Sequence, residues 1–157
     1  MKLSIVATLY KSASFVDEFY ERSVKAAENL FGDDFEIILV NDGSPDDSLA
    51  PTVALHEQDR CVKVLDLSRN FGHHKAMMAG LSYASGDYIF LLDSDLEEQP
   101  EWLASFYQEL TEAEGVETVD VVFGVQQKRK GKWFERVSGA LFSNSSAICP
   151  KRKFPKI

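Results

Sequence analysis

Residues 87–100 read Asp-Tyr-Ile-Phe-Leu-Leu-Asp-Ser-Asp-Leu-Glu-Glu-Gln-Pro. Five apolar residues, Tyr88 to Leu92, run straight into two carboxylates, Asp93 and Asp95, spaced i, i+2. A short apolar run without polar alternation reads as a strand covered on both faces. Working outward, three more runs have this character: LSIVATLY (3–10), FEIILVN (35–41) and VKVLDL (62–67). VDVVFGV (119–125) is a weaker fifth. Helical patterns separate them. The first covers Ser14 to Phe31, with Phe15, Phe19, Val24 and Ala27 apolar and Gly32 as its stop. The others cover Asp47 to His56 with Pro51 inside, Gly72 to Ser85 closed by Gly86, Pro100 to Ala113, and Lys132 to Phe142. Pro100 suits a first helical turn. Strands alternating with helices specify an α/β domain with a mainly parallel central sheet. In such sheets ligands bind at the C-terminal ends of the strands.

The whole-chain numbers agree with one globular domain. The chain has 157 residues, 45% hydrophobic and 27% charged, which excludes disorder, collagen-like repeats and coiled coil. A net charge of −8 argues against a nucleic-acid partner. The charge is unevenly spread. Residues 1–125 hold 8 Lys+Arg against 24 acidic residues, and residues 126–157 hold 9 against 1. A basic end on an acidic body suits a phosphate or a membrane surface, or is simply solvated. Cys61 and Cys149 form no CxxC pair and read as reduced thiols of a cytoplasmic protein. No apolar run approaches the ~20 residues that span a bilayer. The opening MKLSIVATLYKS reads as a first strand and not as a signal peptide.

The loops after the strands carry the chemistry. After the second comes Asn41-Asp42-Gly43-Ser44-Pro45-Asp46-Asp47-Ser48. Its turn residues leave the Asp42 carboxylate free to accept from a base or a ribose, or else spend it on local turn bonds, with Asp47 capping the next helix. After the fourth, the carboxylates of Asp93 and Asp95 point the same way if the backbone stays extended. Two like charges at a strand end need a cation or donors to offset them. Mg²⁺ or Mn²⁺ with a diphosphate fits that need. After the third comes Ser68-Arg69-Asn70-Phe71-Gly72-His73-His74-Lys75, donors leading into a helix N-terminus, a place for phosphate or ribose oxygens. The adjacent His73 and His74 make a poor metal pair and read equally as capping or surface residues. Gln127 to Trp133 is cationic and could meet a diphosphate or a lipid head group.

Taken together and in this order, these loops resemble family-2 glycosyltransferases with the GT-A fold. The resemblance is to the branch of dolichyl-phosphate mannose synthases and bacterial polyprenyl-phosphate sugar transferases. VNDGSPDDS resembles their nucleotide-binding loop. LSRNFGHHKAMMAGLSYASGDYIFLLDSDLEEQPEWL resembles their LSRNFG segment and DxD turn. VVFGVQQKRKGKWFERVSGALF resembles their basic loop and amphipathic helix. The match covers residues 3–142. It implies a GT-A, Rossmann-like sandwich over residues 1–142, incomplete at its C-terminus. Residues 143–157 follow as a basic tail outside the family pattern, expected from a truncation or a change of reading frame near residue 143.

The resemblance also implies roles. Asp42 contacts the base or ribose, Asp93 the ribose and the metal, and Asp95 the metal that bridges the diphosphate. Arg69 and Lys75 contact ribose or phosphate. The family pattern Pro-x-Tyr-Asn-Glu is here Thr8-Leu9-Tyr10-Lys11-Ser12, so only Tyr10 is carried over, against the base. The implied cofactor is Mn²⁺ or Mg²⁺. The implied donor is a UDP- or GDP-sugar, and the acceptor a polyprenyl phosphate or a glycan, with inversion. No catalytic base is assigned; for a hydroxyl acceptor it is expected beyond this chain. The expected setting is cytoplasmic, at the inner face of the membrane through the basic region, as a homo-oligomer. Two other classes compete. A nucleotide-sugar-binding module would bind without turnover. A nucleotidyltransferase would need a glycine-rich phosphate loop near the start, and LSIVATLYKS has no glycine.

Overall fold

The computed structural model describes residues 1–113, 119–124 and 147–150. The expected helix over 132–142 and the cationic stretch 127–133 lie outside the described residues. The strands are β1 (Leu3–Leu9), β2 (Phe35–Asn41), β3 (Val62–Asp66), β4 (Tyr88–Asp93), β5 (Val122–Phe123) and β6 (Ala147–Pro150). The helices are α1 (Val16–Phe31), α2 (Leu49–Gln58), α3 (His73–Tyr83) and α4 (Leu103–Ala113), the last entered through a 3-10 turn at Pro100–Trp102.

One sheet runs in the order β3-β2-β1-β4-β6-β5. The first four strands are parallel, and β6 pairs antiparallel with both β4 and β5. The mainly parallel α/β sheet is therefore present. β6 was not expected, and it lies in the segment read as a tail.

Every residue of β1 and β2 is buried. This follows from their central positions and their largely Val, Ile and Leu content, with Ser4, Thr8, Glu36 and Asn41 as the buried polar residues. On one face Leu3, Ile5, Ala7, Leu9, Ile37, Leu39 and Phe90 meet Val16, Phe19 and Ala27 of α1 and Leu103 and Leu110 of α4. On the other face Val6, Ile38 and Val40 meet Ala76 of α3. There α3 lies very close: a Cβ at Gly80 would stand 2.5 Å from Val6 Cγ1.

Several boundaries shift. α1 begins at Val16, so Phe15 sits outside it, and the buried stripe is Val16, Phe19, Ser23 and Ala27. α2 begins at Leu49, which places Pro51 in the first turn, where its missing N–H has no intrahelical acceptor to serve. Asp47 does not cap it. Asp46 accepts the Ser48 N–H at 3.3 Å and the hydroxyls of both Ser44 and Ser48.

Register sets up the functional edge. Leu9 aligns with Asn41, Asn41 with Asp66, and Thr8 with Asp93. The loops after β1, β2, β3 and β4 therefore emerge together.

Candidate functional site

β4 ends at Asp93, and Ser94 and Asp95 form a turn. The two carboxylates are thus not held on one side of an extended strand, as the i, i+2 spacing suggested. Leu96 reverses the chain with a φ of 62°. The turn is tied internally: Glu98 accepts the Asp93 N–H at 3.2 Å, and Asp95 accepts the Glu97 N–H at 3.0 Å. Ser94 points inward, donating to the Thr8 carbonyl at 2.8 Å and lying 2.9 Å from the Ser12 hydroxyl. Asp95 is left exposed. Asp93 is partly covered, its Oδ1 accepting the Thr8 hydroxyl at 2.8 Å, with His73 Nδ1 at 3.4 Å. The ring nitrogen is also 3.2 Å from Thr8 Oγ1.

The loop after β2 departs from expectation in one important way. The Asp42 carboxylate is not free. Asp42 is 3% exposed, and its two oxygens accept the N–H groups of Phe71 at 2.7 Å and Gly72 at 3.0 Å. Those amides lie at the entrance to α3 and have no strand partner, so the nearest carboxylate takes them. The negative charge also suits the helix N-terminus. Two backbone donors at the entrance to α3 are thereby spent inside the protein.

Gly43 completes the join. Its φ is 56°, and a Cβ there would lie 2.4 Å from the backbone of Arg69 and Asn70. Beside it Asn41 donates to Asp66 at 2.8 Å and accepts the Ser44 N–H at 3.2 Å.

The loop after β1 is bound to the same group. Lys11 donates its N–H to Ser44 at 2.8 Å, Ser12 to Ser48 at 2.9 Å and Ala13 to Asp46 at 3.2 Å. The Ser44 and Ser48 hydroxyls hold the Asp46 carboxyl down at about 2. Above this framework Tyr10 is 48% exposed, with the Lys11 ammonium 5.6 Å from its ring. Arg69 lies 4.8 Å from the Phe71 ring, and both are exposed. Lys75 is exposed in the first turn of α3.

Of the six residues singled out from sequence, five line this edge and its adjoining helix end as accessible side chains: Tyr10, Arg69, Lys75, Asp93 and Asp95. Asp42 is behind them, as a tie. The sequence reading missed Thr8, Ser12, Asn41 and Asp66, and it passed over His73. Thr8 had a signal: a polar residue near the C-terminal end of a mainly aliphatic strand, in register with an aspartate.

Residues 4–155 match the family model described as glycosyl transferase family 2. The chain belongs to that family. The glycosyltransferase match thus extends into the segment containing β6. Among curated relatives, a protein of Mycobacterium tuberculosis (strain CDC 1551 / Oshkosh) named "Putative glycosyltransferases" is 49% identical over 148 residues. That alignment covers 94% of this chain and 42% of the relative. The undecaprenyl-phosphate 4-deoxy-4-formamido-L-arabinose transferase of Enterobacter sp. (strain 638) is 36% identical over 143 residues, covering 90% of this chain and 42% of that protein. The chain therefore spans under half the length of these two relatives. Among solved structures, the mannosyltransferase of Pyrobaculum calidifontis in complex with GDP-Man and Mn²⁺ superposes with a TM-score of 0.69 at 18% identity. The superposition covers 95% of this chain and 44% of that one, and it supports the GT-A fold.

The family-2 site can be tested for a cation from its own donors. Among the described residues no three His, Cys, Asp or Glu side chains group as a metal cage. Mg²⁺ and Mn²⁺ do not require one: they bind through one or two carboxylates with phosphate oxygens and water. The exposed carboxylate of Asp95 and the second oxygen of Asp93 fit that mode.

Proposed function

We propose that this chain forms the donor-binding part of a metal-assisted, inverting glycosyltransferase. It moves a sugar from a UDP- or GDP-sugar to a polyprenyl phosphate or saccharide acceptor in cell-surface glycan synthesis. The observation that carries the reading is the acidic turn, Asp93 and Asp95, at the C-terminal end of β4 beside the entrance to α3. Tyr10 flanks the base. Arg69 and Lys75 contact ribose or diphosphate, and Asp93 the ribose and the cation. Asp95 holds the cation, which when bound neutralises charge on the departing diphosphate. Asp42 serves the nucleotide through the loop that it ties.

A phosphate acceptor arrives ionised and needs no base, whereas a hydroxyl acceptor needs a carboxylate to take its proton. The polyprenyl phosphate reading draws support from the undecaprenyl phosphate in one relative's name. The donor and cation readings draw support from the GDP-Man and Mn²⁺ of the archaeal complex. Among the described residues no helix is long and apolar enough to cross a membrane. A lipid acceptor would instead be met at the cytoplasmic membrane face, with the basic region 126–157 as the contact. In this reading residues 1–142 act as the donor domain, and the basic segment 143–157 adds β6 to its sheet.

The test is calorimetric titration of UDP and of GDP, with Mn²⁺ and then with EDTA, on the wild type and on Asp95→Ala. Metal-dependent binding lost in the variant supports the site. Absence of binding by either nucleotide overturns it. Binding without transfer to a lipid phosphate would leave a nucleotide-sugar-binding module.

A further inference from the structure

We propose that Thr8 and His73 are positioning residues that hold the Asp93 carboxylate in its working orientation for metal-dependent nucleotide binding. The inference rests on the donor-site reading above. Three groups from three elements meet here: Thr8 near the end of β1, Asp93 at the end of β4, and His73 at the first position of α3.

Their hydrogen-bond roles follow from the donor inventory. The Thr8 hydroxyl has one proton, and an ionised carboxylate only accepts. Thr8 Oγ1 therefore donates to Asp93 Oδ1 at 2.8 Å. Its remaining capacity is as an acceptor, so His73 Nδ1, at 3.2 Å, must carry a proton and donate to it. The same N–H lies 3.4 Å from Asp93 Oδ1. Oδ1 is thus occupied from inside the protein. The carboxylate cannot rotate without breaking these contacts, and Oδ2 remains available to the ligand edge.

Thr8 is buried. It sits in parallel register with Asp93, so the orienting contact is built into the sheet. His73 adds a second fixed point from α3. This helix is anchored on the same sheet through Ala76 and Gly80, and its entrance is tied by Asp42. A group that locks the tautomer and orientation of a ligand-binding side chain commonly changes affinity 10–100-fold when it is removed.

The test has two independent readouts. The first is the nitrogen NMR signature of the His73 ring in the nucleotide-free protein. The proposal requires a proton on Nδ1 in the wild type, kept in Thr8→Ser. The second is the gain in UDP or GDP affinity that Mn²⁺ produces over EDTA. Thr8→Val and His73→Phe are expected to cut that gain about tenfold, a larger loss than the one they cause in EDTA, where only the ribose contact of Asp93 is weakened. Thr8→Ser and His73→Asn, which keep a hydroxyl and an N–H near the original positions, retain most of it.

A wild-type ring protonated on Nε2 alone overturns the proposal. So does a Thr8→Val variant with the full Mn²⁺ gain, or one that loses affinity equally with and without metal. A wild type with no metal-dependent nucleotide binding refutes the donor-site reading itself, before any variant is compared, and this inference falls with it.

Discussion

Replacing Asp42 by alanine separates a tie from a ligand contact. The buried carboxylate accepts two backbone N–H groups, from Phe71 and Gly72. Hydrogen bonds to charged groups contribute about 1.5–3 kcal/mol each. Phe71 is exposed and Gly72 half-buried, so water can reach the released amides and the lower end applies. Two bonds at about 1.5 kcal/mol give a loss of about 3 kcal/mol. With a urea m-value of about 2 kcal/mol/M, the unfolding midpoint falls by about 1.5 M. Asp42→Asn keeps one acceptor oxygen and should lose about half as much. Nucleotide affinity should fall in both variants, in the order of their stabilities, because the loop carrying Arg69 loses its anchor. The assay is urea unfolding followed by Trp fluorescence, beside nucleotide titration. An alanine variant with wild-type stability and abolished nucleotide binding would refute the reasoning, since Asp42 would then face the ligand.

Gly43→Ala should cost about 2 kcal/mol through its positive φ and its contact with the Arg69–Asn70 backbone. A thermal midpoint lower by about 6 °C would show it. Glu36, at the opposite end of the sheet, gives a pH signature. Burial pushes its carboxyl up, but hydrogen bonds from Lys63, Ser4 and Ser85 outweigh this and hold it well below the usual 4.5. The stability it supplies is complete above that value and is lost as pH falls below it. Urea midpoints should therefore stay flat from pH 7 to about 5 and then decline. Glu36→Gln should be less stable at pH 7 and show a shallower decline. The chain should self-associate, given exposed Phe123 and Met78 and half-buried Ile89 and Leu91. Light scattering giving a monomer at micromolar concentration would contradict this.

The parallel half of the sheet was legible because β1, β2 and β4 are apolar at most positions, and β1 and β2 are covered on both faces while β4 keeps one face half-buried. The edge that carries the site followed from the alternation of strands and helices. What escaped was decided by partners distant in sequence. β6 is four residues including a proline, and its extended form depends on pairing with β4. The placement of Asp95 depends on the strand ending at Asp93 and on the reversal at Leu96, neither of which an i, i+2 spacing announces. Asp42 looked free because its acceptor role is filled by amides some thirty residues on. His73 looked like a surface histidine for the same reason: Thr8 and Asp93 meet it only after β1 and β4 are in register.

The late arrival of β6 has a consequence for how the chain is made. β4 is closed on one side by β1, but Leu91 must wait for Ala147 before its other side is closed. As the polypeptide leaves the ribosome, the four parallel strands are available first, and the antiparallel pair can only dock afterwards. During that interval β4 presents a row of unpaired backbone groups, a template that any extended segment can add to. Pairings across such sequence distances also form slowly. A nascent chain paused between α4 and β6 is therefore the species in which two copies can exchange strands. Slow passage through that stretch prolongs the interval in which the edge of β4 is open to such pairing.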